Sequence, residues 1–128
     1  MTLTRDQLDE LIAHARAEAP NECCGVIVLD GGAAIEVHPG VNDRASPYGY
    51  QIDSGTMLTA FKATEERGLD VAYYHSHPRS EAEPSQTDIN LADRADGLMV
   101  IVSLAGEPNV RAWSVDGRKV KEEPVEVA

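Results

Sequence analysis

Residues 71–88 read VAYYHSHPRSEAEPSQTD. The first four are apolar or aromatic and form a strand signal that delivers His75 at its end. On a strand, positions i and i+2 point the same way, so His75 and His77 can reach one metal ion. A helix would need i, i+4. Pro78 cannot donate to a sheet ladder and ends the strand at the site. Asp88 can return from a following helix as a third ligand. Ser85, three residues earlier in the sequence, lies one turn away and faces the same side. His/His/Asp leaves one of zinc's four positions open for water, as a hydrolase requires. Each residue alone keeps a plainer alternative. An isolated His-x-His arises by chance, Ser85 is equally an N-cap, and Asp88 is equally a first-turn carboxylate.

A zinc hydrolase also needs a carboxylate that is not a ligand but hydrogen-bonds the attacking water. Glu22 is a candidate, lying just before an apolar run. Composition does not separate it from the chain's other carboxylates. Cys23 and Cys24 invite a nucleophile or ligand reading, but Cys24 opens the apolar run and fits a small core residue better. His14 and His38 are expected in surface or packing roles, and Phe61 and Trp113 in the core. Gly31 and Gly32 form a turn, because the lysine and helix start of a phosphate loop are missing.

Around this stretch, Thr4 and Gln7 form a capping box, and Leu8, Leu11, Ile12 and Ala15 recur at helical spacing. Pro20 ends that helix. Residues 24–29 are a continuous apolar run and read as a buried strand. A turn at 30–32 leads to an alternating strand at 34–38. Residues 39–47 are irregular, and 48–52 are expected as a short strand. Ser54 is expected to cap a second helix that buries Met57, Leu58, Phe61 and Ala63, with Gly68 as its stop. Residues 78–84 are a loop. Ser85 or Thr87 caps a third helix reaching about Ala95. Strands follow at 98–102 and, as an outer one, at 110–115. After a turn at Asp116 and Gly117, a final strand is expected over 119–127. This alternation predicts a mixed α+β fold, a mixed sheet flanked by helices, with strand order unreadable. Residues 1–128 are expected to form one domain, without repeats.

Composition narrows the partners. The chain carries 22 acidic and 11 basic residues, a formal charge of −11, which opposes binding to nucleic acid or anionic membranes. No apolar run suits a membrane span, and no signal segment is visible. The two cysteines are adjacent and make no disulfide framework, which favours a reducing cytoplasm.

Glu22, His75-x-His77-Pro78, Ser85 and Asp88, in that order and spacing, resemble the signature of the JAMM, or MPN-plus, zinc metalloproteases. The resemblance covers nearly the whole chain. Residues 22–26, the strand end at 74–77 and the tail at 122–125 look most like the short bacterial Mec-type members. The resemblance implies a cytidine deaminase-like fold, with a curved mixed sheet and helices on its faces. It implies one zinc held by His75, His77 and Asp88. Glu22 would take a proton from the water and return it to the leaving amine, and Ser85 would stabilise the oxyanion. It implies cleavage after the C-terminal Gly-Gly of a ubiquitin-like or sulfur-carrier protein, with release of cysteine in one version. General deconjugation of ubiquitin-like modifiers and a non-enzymatic scaffold are the alternatives. A homodimer is left open.

Overall fold

Pro124 and Val125 separate two strands that lie at opposite ends of one sheet, and this fixes the shape of the fold. The computed structural model describes residues 1–92 and 97–128. Along the chain the elements are β1 (Thr2–Leu3), α1 (Arg5–Glu18), β2 (Cys24–Asp30), β3 (Ala33–Pro39), α2 (Ser54–Glu65), β4 (Asp70–His77), α3 (Gln86–Ala92), β5 (Leu98–Ser103), β6 (Asn109–Asp116), β7 (Lys119–Glu123) and β8 (Glu126–Val127). The strands form an eight-stranded sheet in the order β7-β6-β5-β4-β2-β3-β1-β8. Pairing is parallel for β4–β5, β1–β3 and β1–β8 and antiparallel elsewhere, so the sheet is mixed. Laid flat, its edges would stand roughly 34 Å apart at about 4.8 Å per strand spacing. The step from Glu123 to Glu126 reaches at most about 11 Å. The sheet must therefore curl until its ends meet. The Met1 amino group donates to Pro124 O at 2.9 Å, and Ala128 N donates to Leu3 O at 2.8 Å, which seals the seam.

Both faces of the central strands are covered, which is why residues 24–29 are uniformly apolar rather than alternating. Ile27, Leu29 and Tyr74 point to the face where α1 packs with Leu11 and Ala15. Val26, Val28 and Val71 point the other way, under Ala60 and Ala63 of α2. Helix α1 has the expected capping box, with Thr4 Oγ1 accepting from Gln7 N and Gln7 Oε1 accepting from Thr4 N. The hairpin of β2 and β3 also forms as expected.

Several expectations need correction. Residues 48–52 are not a strand. Their loop folds around Asn42, whose side chain donates to Glu22 O and Gly49 O and accepts from Arg44 N and Gln51 N. Only isolated bridges, Asn42–Ile52 and Ser46–Gly49, remain there among the described residues. The N-cap of α2 is Asp53, not Ser54, because the Asp53 carboxylate accepts from both Thr56 N and Val41 N. Ala63 is buried as expected, but Met57, Leu58 and Phe61 are exposed, Phe61 at 59%. The helix seats itself through its small residues, Ala60 and Ala63, and the larger side chains are left flanking the contact. Strand β4 ends at His77, just before Pro78, as expected, and carries both histidines. The strand β6 is not an outer one, since β7 pairs along it. Residues 119–127 split into β7 and β8, because Pro124 has no N–H to continue a ladder. The expected end of the third helix, near Ala95, lies outside the described residues.

Candidate metal centre

The two-residue period of β4 puts His75 and His77 on the sheet face that α2 covers, beside Val71 and Tyr73. Both are buried. Their Nε2 atoms stand 3.2 Å apart. The Asp88 carboxylate closes the triangle, with Oδ1 3.1 Å from His75 Nε2 and Oδ2 3.0 Å from His77 Nε2. The ligand atoms of these residues lie within 4.8 Å of one another.

Asp88 reaches this point because its helix begins there. Ser85 Oγ accepts from Asp88 N at 3.0 Å, and Ser85 N donates to Asp88 Oδ2 at 2.9 Å. The capping role considered for Ser85 is therefore real. The bond uses the hydroxyl only as an acceptor, so the exposed Ser85 O–H keeps its hydrogen for another group.

The histidines are oriented by different means. His77 Nδ1 pairs with Glu81 O at 2.8 Å. With Nδ1 donating there, Nε2 is the nitrogen turned to Asp88, and its lone pair becomes available to a metal once the Nε2 proton is displaced. His75 Nδ1 is buried without a hydrogen-bond partner. Its ring instead stacks on Tyr50, at 4.5 Å between centroids and 17° between planes. Burial pushes the His75 imidazole toward its neutral form. Burial alone would raise the Asp88 carboxyl, but hydrogen bonds from both imidazoles outweigh it and hold that group well below the usual carboxylate range. Burial would lower His77, but its bonds to Asp88 and Glu81 O outweigh it and raise that group. With its proton displaced by a metal, two imidazole nitrogens and one ionised carboxylate are a donor set that fits zinc and leaves a fourth position for water.

Glu22 arrives from the other side of the sheet register. Cys24 pairs with His75 across β2 and β4. Just before it, Cys23 N donates to Ser76 Oγ at 2.8 Å and Ser76 N donates to Cys23 O at 3.1 Å. Glu22 N donates to Ser46 O, and Asn42 donates to Glu22 O. These bonds hold Glu22 in the cleft that His77 also lines. The side chain is buried and its Oε1 has no hydrogen-bond partner. Burial, then the charge of Asp88, raises its carboxyl to about 7, against the opposing pull of His77 and Arg44. The thiols of Cys23 and Cys24 are pushed up by burial to about 11 and about 12, which leaves them neutral and poor nucleophiles.

The loop at 78–84 is tied down. Ser103 Oγ donates to Ser80 O at 2.6 Å, Trp113 Nε1 donates to Ala82 O at 2.9 Å, and Arg111, stacked over Trp113, reaches Glu83. This anchoring fixes the Glu81 carbonyl that orients His77. Sequence reasoning missed Ser76, Asn42, Tyr50 and Trp113 as parts of the site. Only Ser76, set between two histidines, offered a local signal.

One hollow opens on the centre, and a second is reached past Tyr50, which stacks on His75. The first, of about 390 Å³, is lined by Glu22, His77 and Arg79 and walled by Pro20, Pro47 and Tyr48. The other, of about 280 Å³, is mostly apolar and is lined by Tyr50, Met57, Tyr73, Leu91 and Met99. Among the described residues, no helix is long and apolar enough to cross a membrane.

Residues 4–116 match the family described as prokaryotic homologs of the JAB domain. A CysO-cysteine peptidase of Mycobacterium tuberculosis is 37% identical, over 99% of this chain and 90% of its own length. A desampylase of Haloferax volcanii is 34% identical, over 91% of this chain and 89% of its own. A solution structure of a protein from Desulfitobacterium hafniense superposes with a TM-score of 0.84 at 34% identity, covering 99% of this chain and 92% of the other.

Proposed function

The chain belongs to the prokaryotic JAB-domain family and is a hydrolase of peptide bonds, and on that premise we propose that it is a zinc metallopeptidase. Its proposed substrate is a ubiquitin-like sulfur carrier, cut after the carrier's C-terminal Gly-Gly. The observation that carries this reading is the convergence of His75, His77 and Asp88 beside Glu22, an acid not used as a ligand. His75, His77 and Asp88 would hold the zinc. A bound zinc would polarise the scissile carbonyl and bring a water's pKa near neutrality. Glu22 takes a proton from the attacking water and passes it to the leaving nitrogen. Burial raises its carboxyl in the metal-free protein, and a bound zinc would lower it, favouring the carboxylate that accepts the first proton. Ser85 donates its free O–H to the carbonyl oxygen as charge develops there. Water's hydroxyl ends on the glycyl carbonyl carbon, the C–N bond breaks, and the nitrogen leaves as an amine.

The relatives named as acting on CysO-cysteine and as a desampylase support a conjugate of a ubiquitin-like protein as substrate. A glycine pair suits such a site, because a tail without side chains can lie extended in a narrow groove. We place the activity within a single domain spanning residues 1–128, in the cytoplasm.

The test is intact-mass analysis of a Gly-Gly-tailed carrier bearing one extra C-terminal cysteine, incubated with the zinc-loaded protein. Loss of that one residue, absent with Glu22→Ala, is the expected result. No loss, together with cleavage of a lysine isopeptide, would favour general deconjugation. No cleavage of either would point to a scaffold.

A further inference from the structure

Resting on that reading, we propose that Arg79 receives the free α-carboxylate of the released residue. The site would then favour a substrate that ends one residue past the scissile bond over a lysine isopeptide. The two hollows have different chemistry. A group that hands a proton to the leaving nitrogen must lie within hydrogen-bond reach of it. Glu22 lines only the larger hollow, so the leaving residue sits there. The tail that precedes the bond is left with the apolar groove on the far side of the Tyr50–His75 stack.

A free amino acid brings a carboxylate two bonds from its nitrogen. It would enter beside Asp88 and Glu22, in a chain of formal charge −11. A bound zinc would offset Asp88 but would be taken up by the water and the scissile carbonyl, so the carboxylate beside Glu22 needs a second cation to meet it. Arg79 is the one arginine or lysine lining the cleft among the described residues, and Arg44, whose charge also acts on Glu22, does not line it. It is exposed, and among the described residues it makes no ion pair and no side-chain hydrogen bond. Arg5, Arg67 and Arg111, by contrast, each engage a carboxylate of this chain. A guanidinium binds a carboxylate through paired N–H donors, which fixes orientation as well as charge. The leaving ε-amine of a lysine isopeptide sits at the end of a long stem and offers no carboxylate at that depth.

The step balances as before: water gives its hydroxyl to the glycyl carbon and a proton to the leaving nitrogen, releasing a carrier carboxylate and a free amino acid. The experiment compares peptides ending in Gly-Gly-Cys as the free acid, as the carboxamide, and as a Gly-Gly lysine isopeptide, with zinc-loaded full-length protein. The free acid should exceed the amide in kcat/KM by at least about tenfold, as a charge-assisted pair allows. Arg79→Ala should bring that ratio close to one, and Arg79→Lys should restore part of it. A second readout, free of turnover, is fluorescence anisotropy with Glu22→Gln. There the acid should bind more tightly than the amide, and adding Arg79→Ala should erase the difference. Equal use of acid and amide by the unmodified protein, or a preference that survives Arg79→Ala, would overturn the assignment. If no peptide is cut, the carrier-processing reading fails instead, and the binding ratio still decides the role of Arg79.

Discussion

The unequal support of the two histidines leads to a quantitative expectation for Tyr50. His77 is held by a hydrogen bond to a backbone carbonyl, and His75 by ring stacking with no partner on Nδ1. Tyr50→Ala removes the stacked ring and leaves the buried His75 imidazole oriented by its Nε2 contact with Asp88 alone. A stacked aromatic pair contributes about 0.5–1.5 kcal/mol beyond area burial. If that energy holds His75 in its ligating pose, its loss weakens zinc binding by roughly two- to twelvefold. This is milder than the roughly 10–100-fold cost of removing a hydrogen-bonded partner from a ligating histidine. Competition against a chromophoric chelator measures the zinc Kd directly. Tyr50→Phe keeps the ring and should bind zinc within about twofold of the unmodified protein. Unchanged zinc affinity in Tyr50→Ala would refute the argument. So would equal loss in Tyr50→Ala and Tyr50→Phe, which would shift the role from the ring to the hydroxyl.

Other expectations follow from the same geometry. Glu22→Gln should keep stoichiometric zinc on gel filtration while turnover falls by about 10²–10⁴; a variant with full activity would end the assignment of Glu22. Ser85→Ala removes both a cap and an oxyanion donor. It should cost about 0.5–2 kcal/mol in urea unfolding, and kcat should fall by about 10²–10³. If Ser85→Thr, which keeps the hydroxyl, lost as much activity, the donor role would be wrong. The Cys23 and Cys24 thiols titrate at about 11 and about 12 when folded, above their ordinary value near 9.0. The unfolded chain releases those protons first, so this contribution to stability is full below about pH 9 and is lost as pH rises toward the folded values. Urea midpoints measured from pH 8 to 11 should fall, and replacing both cysteines with alanine should flatten that slope.

What could be read from the sequence was local. The capping box of α1, the turn after β2, His75-x-His77 and the Ser85–Asp88 cap all rest on spacings within one turn or one strand. Features set by distant register could not be read. Glu22 meets the histidines only because Cys24 pairs with His75 and Cys23 with Ser76, 53 residues away. Nothing near Glu22 announces that pairing, and the resemblance rather than the residues singled it out. Tyr50 was absorbed into an expected strand, because Asn42's role in folding the loop is a tertiary fact. In α2, the larger apolar residues were assigned inward by hydrophobicity, whereas close packing selected the alanines. The split at Pro124 is legible in the sequence, since a proline inside a strand run is evidence against that strand.

The curled sheet also sets the order in which the molecule can assemble. The Met1–Pro124 bond joins residues 123 apart in the chain. At a synthesis rate of about 5–20 residues per second, the first strand waits roughly 6–25 s for the stretch that seals it. Through most of that wait Leu8, Leu11, Ile12 and Ala15 of α1 lack Val100 and Val102, the β5 side chains of the cluster they join. Exposed apolar helix and unpaired strand edges coexist until the last strands emerge. The nascent chain thus has a long interval in which association with neighbours competes with closure, and the seam at residues 124–128 ends it.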